Sequence, residues 1–231
     1  MALPKLDTPT FELTLPSTNK TITYRPFLVK EHKVLLTLTE ASEDEVSRIV
    51  RDLVDVCTFK KLPINKLPHF DIEYIFLHLR AKSISEMVEV VINCECGNKI
   101  ETSYNIENVV IEKEQEHSNL IKLTNVYSVE MNYPVFDDVV KIIGSEDTDD
   151  IIRMIARSIK GIYDSSDYYD AQDQTEKELY EFVESLTKTQ FDKLEKFFTS
   201  SPKVVQVIES DCNECGKHNV TKLTGLQNFF V

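Results

Sequence analysis

The chain has few glycines and lacks the short motifs by which many enzymes are recognised. Five of its 231 residues are glycine, which are too few and too widely separated for a phosphate-binding loop. Its five histidines never have the His-x-x-x-His or His-Glu-x-x-His spacing of a metalloenzyme helix, and no nucleophile elbow is present. The sequence therefore predicts a protein that is not an enzyme and has no small-molecule substrate.

Long apolar runs and positive charge are also scarce. No apolar stretch approaches the roughly 18 residues that a membrane span requires. The 26 basic and 39 acidic side chains give a net charge of −13, and a field of that sign repels nucleic-acid phosphates and anionic lipid headgroups. We therefore expect no nucleic acid and no membrane among the partners.

The most informative feature that is present is a pair of similar cysteine turns. One turn reads Cys94-Glu95-Cys96-Gly97 and the other reads Cys212-Asn213-Glu214-Cys215-Gly216. Each turn lies between two strand-like segments, and the segments that precede them are rich in β-branched residues, which predicts that each turn is the tip of a β-hairpin. The glycine after each cysteine pair suits a backbone with positive φ, which other residues resist.

Four thiolates on two hairpin tips form the ligand set of a tetrahedral structural zinc site. We therefore predict that Cys94, Cys96, Cys212 and Cys215 bind one zinc ion, with iron as the other metal that suits four thiolates. The fifth cysteine, Cys57, ends an apolar helix face and is expected to be a buried small hydrophobe.

Other uses of the cysteine pairs stay open. The first residues contain no apolar signal segment, which indicates a reducing cytosol and disfavours disulfides, but free structural thiols and a redox pair are both compatible with the pattern. The spacer between Cys94 and Cys96 is one residue shorter than usual. His218, three residues after Cys215, is an alternative ligand or a neighbour of the site.

The hydrophobic periodicity predicts an α+β fold, with a small β-hairpin portion, two cysteine-tipped zinc-ribbon-like hairpins and a largely helical insertion. We expect three parts: 1–133 with an N-terminal hairpin, helices and the first cysteine hairpin; 134–202 as the helical insertion; and 203–231 as the second cysteine hairpin packing back on the first. Helices are predicted at about 43–56 after a capping box at Ser42, and at about 69–82, 135–143, 150–159, 175–186 and 189–198. A second capping box, Thr175-Glu176-Lys177-Glu178, opens the helix at 175–186, and a short hairpin is predicted around Thr124 and Asn125.

Two ordered segments resemble a known family. They are Tyr24-Arg25-Pro26-Phe27-Leu28-Val29-Lys30-Glu31, and Phe70-Asp71-Ile72-Glu73-Tyr74-Ile75-Phe76-Leu77 running into Leu79-Arg80-Ala81-Lys82-Ser83. Together they are similar to the baseplate hub and hub-assembly proteins of T-even-like contractile-tailed phages, and the likeness covers most of residues 10–100.

The resemblance implies a non-enzymatic structural or assembly role in the central baseplate, with other hub and tail proteins as partners. No catalytic residues carry over. The implied location is the host cytoplasm during assembly or the tail baseplate of the virion.

Two other classes of function compete with this interpretation. A zinc-ribbon protein that binds nucleic acid or assists transcription also uses paired cysteine hairpins, but the net charge and the lack of a basic stripe disfavour it. An enzyme with a catalytic zinc would need an open coordination position and a nearby general base. Glu95 and Glu214 lie inside the turns, where exposure to solvent is expected.

Overall fold

The computed structural model describes residues 6–36, 43–142 and 147–225, and within these residues the chain has mixed α and β content. The helices are α1 (Val29–Leu35), α2 (Glu43–Cys57), α3 (His69–Ser83), α4 (Phe136–Ile142), α5 (Thr148–Ser158), α6 (Glu176–Glu184) and α7 (Lys188–Ser200). The strands are β1 (Phe11–Thr14), β2 (Thr21–Tyr24), β3 (Met87–Asn93), β4 (Lys99–Asn105), β5 (Val110–Glu112), β6 (Leu120–Lys122), β7 (Ser128–Met131), β8 (Ile159–Tyr163), β9 (Tyr168–Asp170), β10 (Lys203–Asp211) and β11 (His218–Thr224). None of the described helices is both long enough and apolar enough to cross a membrane.

All six predicted helices are present, and their boundaries differ from the predicted ones by at most two residues. The capping box predicted at Ser42 lies outside the described residues. The capping box of α6 is confirmed, because the Thr175 hydroxyl accepts from the Glu178 N–H while the Glu178 carboxylate accepts from the Thr175 N–H. Such a reciprocal pair satisfies two backbone donors at a helix start.

The contacts between residues group the chain into two compact units. The first unit contains the described residues up to Ile64, together with Phe70–Glu112 and the residues from Lys203 onward. The second unit contains Asn65–His69 and Lys113–Pro202. The division into 1–133, 134–202 and 203–231 that the sequence predicts stays a prediction.

In the first unit, a buried ion pair connects the residue that follows β2 to helix α1. Arg25 donates from both terminal nitrogens to the Glu31 carboxylate, at 2.9 and 2.8 Å. The side chains of Arg25 and Glu31 are only 12% and 9% exposed. The Leu28 N–H also donates to Glu31, at 2.5 Å, so one carboxylate holds both the strand end and the start of α1.

Helix α3 is the most deeply buried element of the first unit. Its buried apolar residues lie on all sides of the helix, in contrast to the one-sided pattern of a surface helix: Phe70, Ile72, Ile75, Phe76, Leu77 and Leu79. Asp71 is also fully buried and accepts hydrogen bonds from the N–H, at 3.0 Å, and from the hydroxyl of Ser17. The N–H of Phe27 donates to Ser83 at the end of the helix, at 2.7 Å.

Two antiparallel hairpins complete the first unit. The β3–β4 hairpin pairs Val88 with Tyr104 and Ile92 with Ile100, and these four side chains are buried. In the second hairpin, β10 pairs with β11 along seven residues and also pairs with β5 at its beginning. The β5 pairing was not predicted, because the partners are about ninety positions apart in the sequence.

The second unit contains a four-stranded antiparallel sheet, ordered β6-β7-β8-β9, with helices packed against it. The short hairpin predicted around Thr124 and Asn125 is confirmed as β6–β7. Its core joins strand and helix residues: Leu123, Val129, Met131, Ile155, Ala156, Ile159, Leu179, Val183, Leu194 and Phe197. The hairpin β8–β9 adds β structure to a region for which the sequence predicted mainly helices.

Candidate metal centre

The two cysteine turns have the same local construction. In the first, the Cys94 N–H donates to the Asn98 carbonyl and the Gly97 N–H donates to the Cys94 carbonyl, both at 2.9 Å. Gly97 has φ of +89°, in the region that only glycine adopts without strain. The turn thus reverses the chain while its backbone N–H groups stay close to the thiols.

The second turn repeats this pattern with one more residue between its cysteines. The Cys212 N–H donates to the Lys217 carbonyl at 2.9 Å and the Gly216 N–H donates to the Cys212 carbonyl at 2.8 Å. Gly216 has φ of +71°. The shorter spacer of the first turn therefore does not prevent it from forming the same kind of tip.

The structure brings the four predicted cysteines together. Their sulfur atoms all lie within 4.8 Å of one another. Two of the pairs connect the two hairpins at short distance: Cys94 and Cys215 are 3.7 Å apart, and Cys96 and Cys212 are 3.6 Å apart. All four are free thiols.

These distances fit a tetrahedral metal ion. With a Zn–S bond of about 2.3 Å, the edge of a regular sulfur tetrahedron is about 3.8 Å, close to the distances between Cys94 and Cys215 and between Cys96 and Cys212. Cys94 and Cys212 are 4% and 2% exposed, whereas Cys96 and Cys215 are exposed. A metal bound here would have four protein ligands and no open position, which is the arrangement of structural rather than catalytic zinc.

Neighbouring groups stabilise one of the thiolates. The pKa of Cys212 is lowered to about 6, first by the backbone N–H of Cys215 and then by the side-chain amide of Asn98. The Asn98 amide nitrogen lies 3.5 Å from the Cys212 sulfur and so connects the first turn to the second. At Cys96, the Asn98 backbone N–H lowers the pKa, but the three neighbouring thiols outweigh it and raise the pKa to about 12.

An ion pair also joins the two turns. The Lys217 ammonium lies 2.5 Å from the Glu95 carboxylate. Glu95 is 82% exposed, as expected from its position in the turn, and the pair is therefore worth little stability by itself. The sequence does not predict that Asn98 and this ion pair are parts of the site, because each residue acts on the opposite hairpin.

The remaining residues considered from the sequence lie apart from the sulfur cluster. Cys57 is fully buried at the end of α2, as expected, and burial raises its pKa to about 11. His218 faces Asp211, with 2.8 Å between its Nδ1 and the carboxylate. The cluster of candidate ligands in the described part of the chain contains the four cysteines and not His218.

Comparisons with known proteins agree with the resemblance found in the sequence. The family model described as T4 bacteriophage base plate protein matches residues 8–231. The chain is 28% identical over 214 residues to the baseplate hub assembly protein gp26 of Enterobacteria phage T4, which covers 92% of this chain and 93% of that protein. No solved structure matches the chain.

Proposed function

The chain belongs to the T4 bacteriophage base plate protein family, and from that premise we propose that it is a non-enzymatic protein that helps to build a phage tail baseplate hub. The observation that carries the proposal is the extent of the match, which takes in nearly the full length of a hub assembly protein. Its partners would be other hub and tail proteins, and neither nucleic acid, membrane nor a small-molecule substrate would be required. It would act in the host cytoplasm during assembly and in the tail baseplate if it stays in the virion.

The role in assembly is tested by disrupting the gene in its parent phage and supplying the protein from a plasmid. Electron microscopy of the lysate should reveal filled heads without complete baseplates when the protein is missing. Complete tails should return when the wild-type protein is supplied. Normal tails in the absence of the protein would contradict the proposal.

A bound metal ion would stabilise this protein by joining its two cysteine hairpins. Cys94, Cys96, Cys212 and Cys215 would hold one zinc ion, or an iron ion, between the tips of β3–β4 and β10–β11. The sulfur spacing, the closed ligand set and the N–H groups around Cys212 support this assignment. The chain between Cys96 and Cys212, residues 97–211, is 115 residues long, and closing so long a loop restricts the unfolded chain more than closing a short one.

The metal is tested by elemental analysis of protein purified with reductant and without chelator. We expect one zinc or iron ion per chain. Cys96→Ser and Cys215→Ser remove ligands at exposed positions, and each should lower the metal content far below one ion per chain. Cys57→Ala is the matched control outside the cluster and should keep the metal. Wild-type protein without metal would overturn this part of the proposal and would leave the role in assembly to be judged by the phage experiment.

A further inference from the structure

One strand of the first cysteine hairpin has an edge that is open to another strand. Among the described residues, β3 pairs with β4 alone. Alternate residues of an antiparallel edge strand direct their N–H and C=O groups away from the paired strand. Natural edge strands are commonly protected by charged side chains, lysine above all, by proline or by a bulge. The seven residues of β3 contain one charge, Glu89, and no lysine, proline or bulge.

The surface around this edge is apolar for a strand in contact with water. Met87 and Val91 are 50% and 57% exposed, and both belong to the outward face of the hairpin, where Val91 is paired with Glu101. An exposed hydrophobic edge of this kind is a template for the addition of a strand from another chain.

A groove lies along this hairpin. It has a volume of about 1010 Å³ and is lined by Glu89–Asn93 of β3, by 101–103 of β4, and by Ile208, Thr221 and Leu223 of the second hairpin. Five strand residues extend over about 16 Å. The groove therefore offers an extended segment of about five residues both a backbone to pair with and apolar side chains to contact.

The charge of the groove defines the segment that fits it. Its charged lining residues are Glu89 and Glu101, and neither forms an ion pair with any residue in the described part of the chain. Opposite charges on adjacent strands stabilise pairing, whereas like charges destabilise it. A second copy of this chain carries a net charge of −13 and the same two glutamates, so a segment with lysine or arginine is the better complement.

We propose that the edge of β3 that no described residue pairs with is a docking site for a basic, extended segment of a different protein. The segment adds as a strand beside β3, places alternate apolar residues against the groove, and directs lysine or arginine side chains toward Glu89 and Glu101. The inference rests on the proposed function only for the source of the segment, which would be a baseplate partner. Its test uses peptides and purified protein, so its failure is distinguishable from a failure in the phage experiment.

The test uses two fluorescein-labelled seven-residue peptides with four lysines each. In one, valine alternates with lysine, and in the other, proline replaces every valine. Fluorescence anisotropy should detect binding of the valine peptide and at least tenfold weaker binding of the proline peptide, since proline cannot donate its backbone to a strand ladder. Hydrogen exchange with the valine peptide bound should slow at the amides of 87–93.

Two variants with the same change in net charge serve as a matched pair. Glu89→Lys lies in the groove and should weaken binding of the valine peptide by roughly five- to tenfold, because an attractive pair becomes a repulsive one. Glu209→Lys lies on an exposed position of β10 outside the groove lining and should change binding less than twofold.

Three results would overturn the proposal. Equal binding of the two peptides would mean that charge alone attracts them, and slowed exchange at a strand other than β3 would place the site elsewhere. If protection of the β3 amides from hydrogen exchange increases with protein concentration in the absence of peptide, the occupant is a second copy of the chain.

Discussion

Two buried carboxyl groups in the first unit differ in the direction of their pKa shifts, because their partners differ. Burial raises the pKa of Asp71, and the two hydrogen bonds from Ser17 lower it only in part. Burial also acts to raise the pKa of Glu31, but the hydrogen bonds from Arg25 and from the Leu28 N–H outweigh burial and lower the pKa. A cationic partner is thus what makes a buried carboxylate favourable at neutral pH.

Asp71→Asn should keep or increase the stability of the protein at neutral pH. The amide oxygen can accept from the Ser17 N–H and the amide nitrogen can donate to the Ser17 hydroxyl, while the cost of burying a charge is removed. Because folding raises the pKa of Asp71, its contribution to stability is fully present below its ordinary value of 3.8 and is lost as the pH rises through the folded pKa. The advantage of the asparagine variant, measured by urea unfolding, should therefore be larger at pH 7 than at pH 4.

Asp71→Ala is the comparison for that experiment. It removes the acceptor of both Ser17 donors, which lie at a half-buried position, and this should cost about 1–3 kcal/mol. Equal losses for the asparagine and alanine variants would mean that the charge itself stabilises the fold.

Glu31→Gln should destabilise the protein at neutral pH by about 1–3 kcal/mol, because it leaves the Arg25 guanidinium buried without its anionic partner. Folding lowers the pKa of Glu31, so the stability it contributes is present above its ordinary value of 4.5 and is lost as the pH falls through the folded pKa. The difference between the variant and the wild type in urea unfolding should therefore shrink as the pH falls below 4.5.

Lys30→Ala is the matched control for Glu31. The Lys30 ammonium lies 3.9 Å from the same carboxylate but is 74% exposed, and exposed pairs contribute little. A change of more than about 1 kcal/mol in this control would show that the surface charge, not the buried pair, holds Glu31.

At the scale of the elements, the two cysteine hairpins depend on the backbone of their tips. A Cβ added at Gly97 or at Gly216 would meet no atom within 4 Å, so steric contact with neighbours does not require glycine there. The requirement comes from the positive φ alone, since an L residue in this region is strained by about 1–2 kcal/mol.

Gly97→Ala should therefore lower the free energy of unfolding of the metal-loaded protein by about 1 kcal/mol and weaken metal binding in proportion. Gly97→Asn should cost less, because asparagine tolerates the left-handed region better than alanine does. Metal affinity by competition with a chromophoric chelator, together with thermal unfolding, measures both effects. An alanine variant as stable as the asparagine variant, or more stable, would contradict this explanation.

At the scale of the whole molecule, the proposed metal joins two segments that are far apart in the sequence. The first unit is discontinuous, and the chain leaves it after Glu112 and returns at Lys203. Between these points lie the 90 residues of 113–202. A metal that holds the two hairpins together would fix both ends of residues 113–202, because ligand binding is coupled to folding when the site is formed by distant segments.

Cys212→Ser should therefore expose the junctions around 112–119 and 199–203 to limited proteolysis before the rest of the chain is cut. Cys215→Ser removes the same number of ligands at an exposed position and should give the same cleavage pattern. Removal of the metal from the wild-type protein by a chelator should reproduce it, and Cys57→Ala should not. If chelation and both ligand variants leave the cleavage pattern unchanged, the cysteines do not anchor residues 113–202.

The sequence by itself determined the features that depend on neighbours along the chain. The β-branched runs around the two cysteine turns and the glycines that follow them specify hairpin tips, and Thr175 with Glu178 specifies the start of α6, because each interaction spans only a few residues. The ordered motifs beginning at Tyr24 and Phe70 were sufficient to indicate the family.

Only the tertiary structure decided how distant residues meet. It placed Asn98 against Cys212, Asp71 against Ser17 and β5 beside β10, and it set the sulfur–sulfur distances that fit a tetrahedral metal ion. It also formed the β8–β9 hairpin, whose short strands have weak local signals and are stabilised by pairing with β7. The physical reason is that pairing and burial depend on side chains brought together from far along the chain, and periodicity within one segment does not specify which segment will lie opposite.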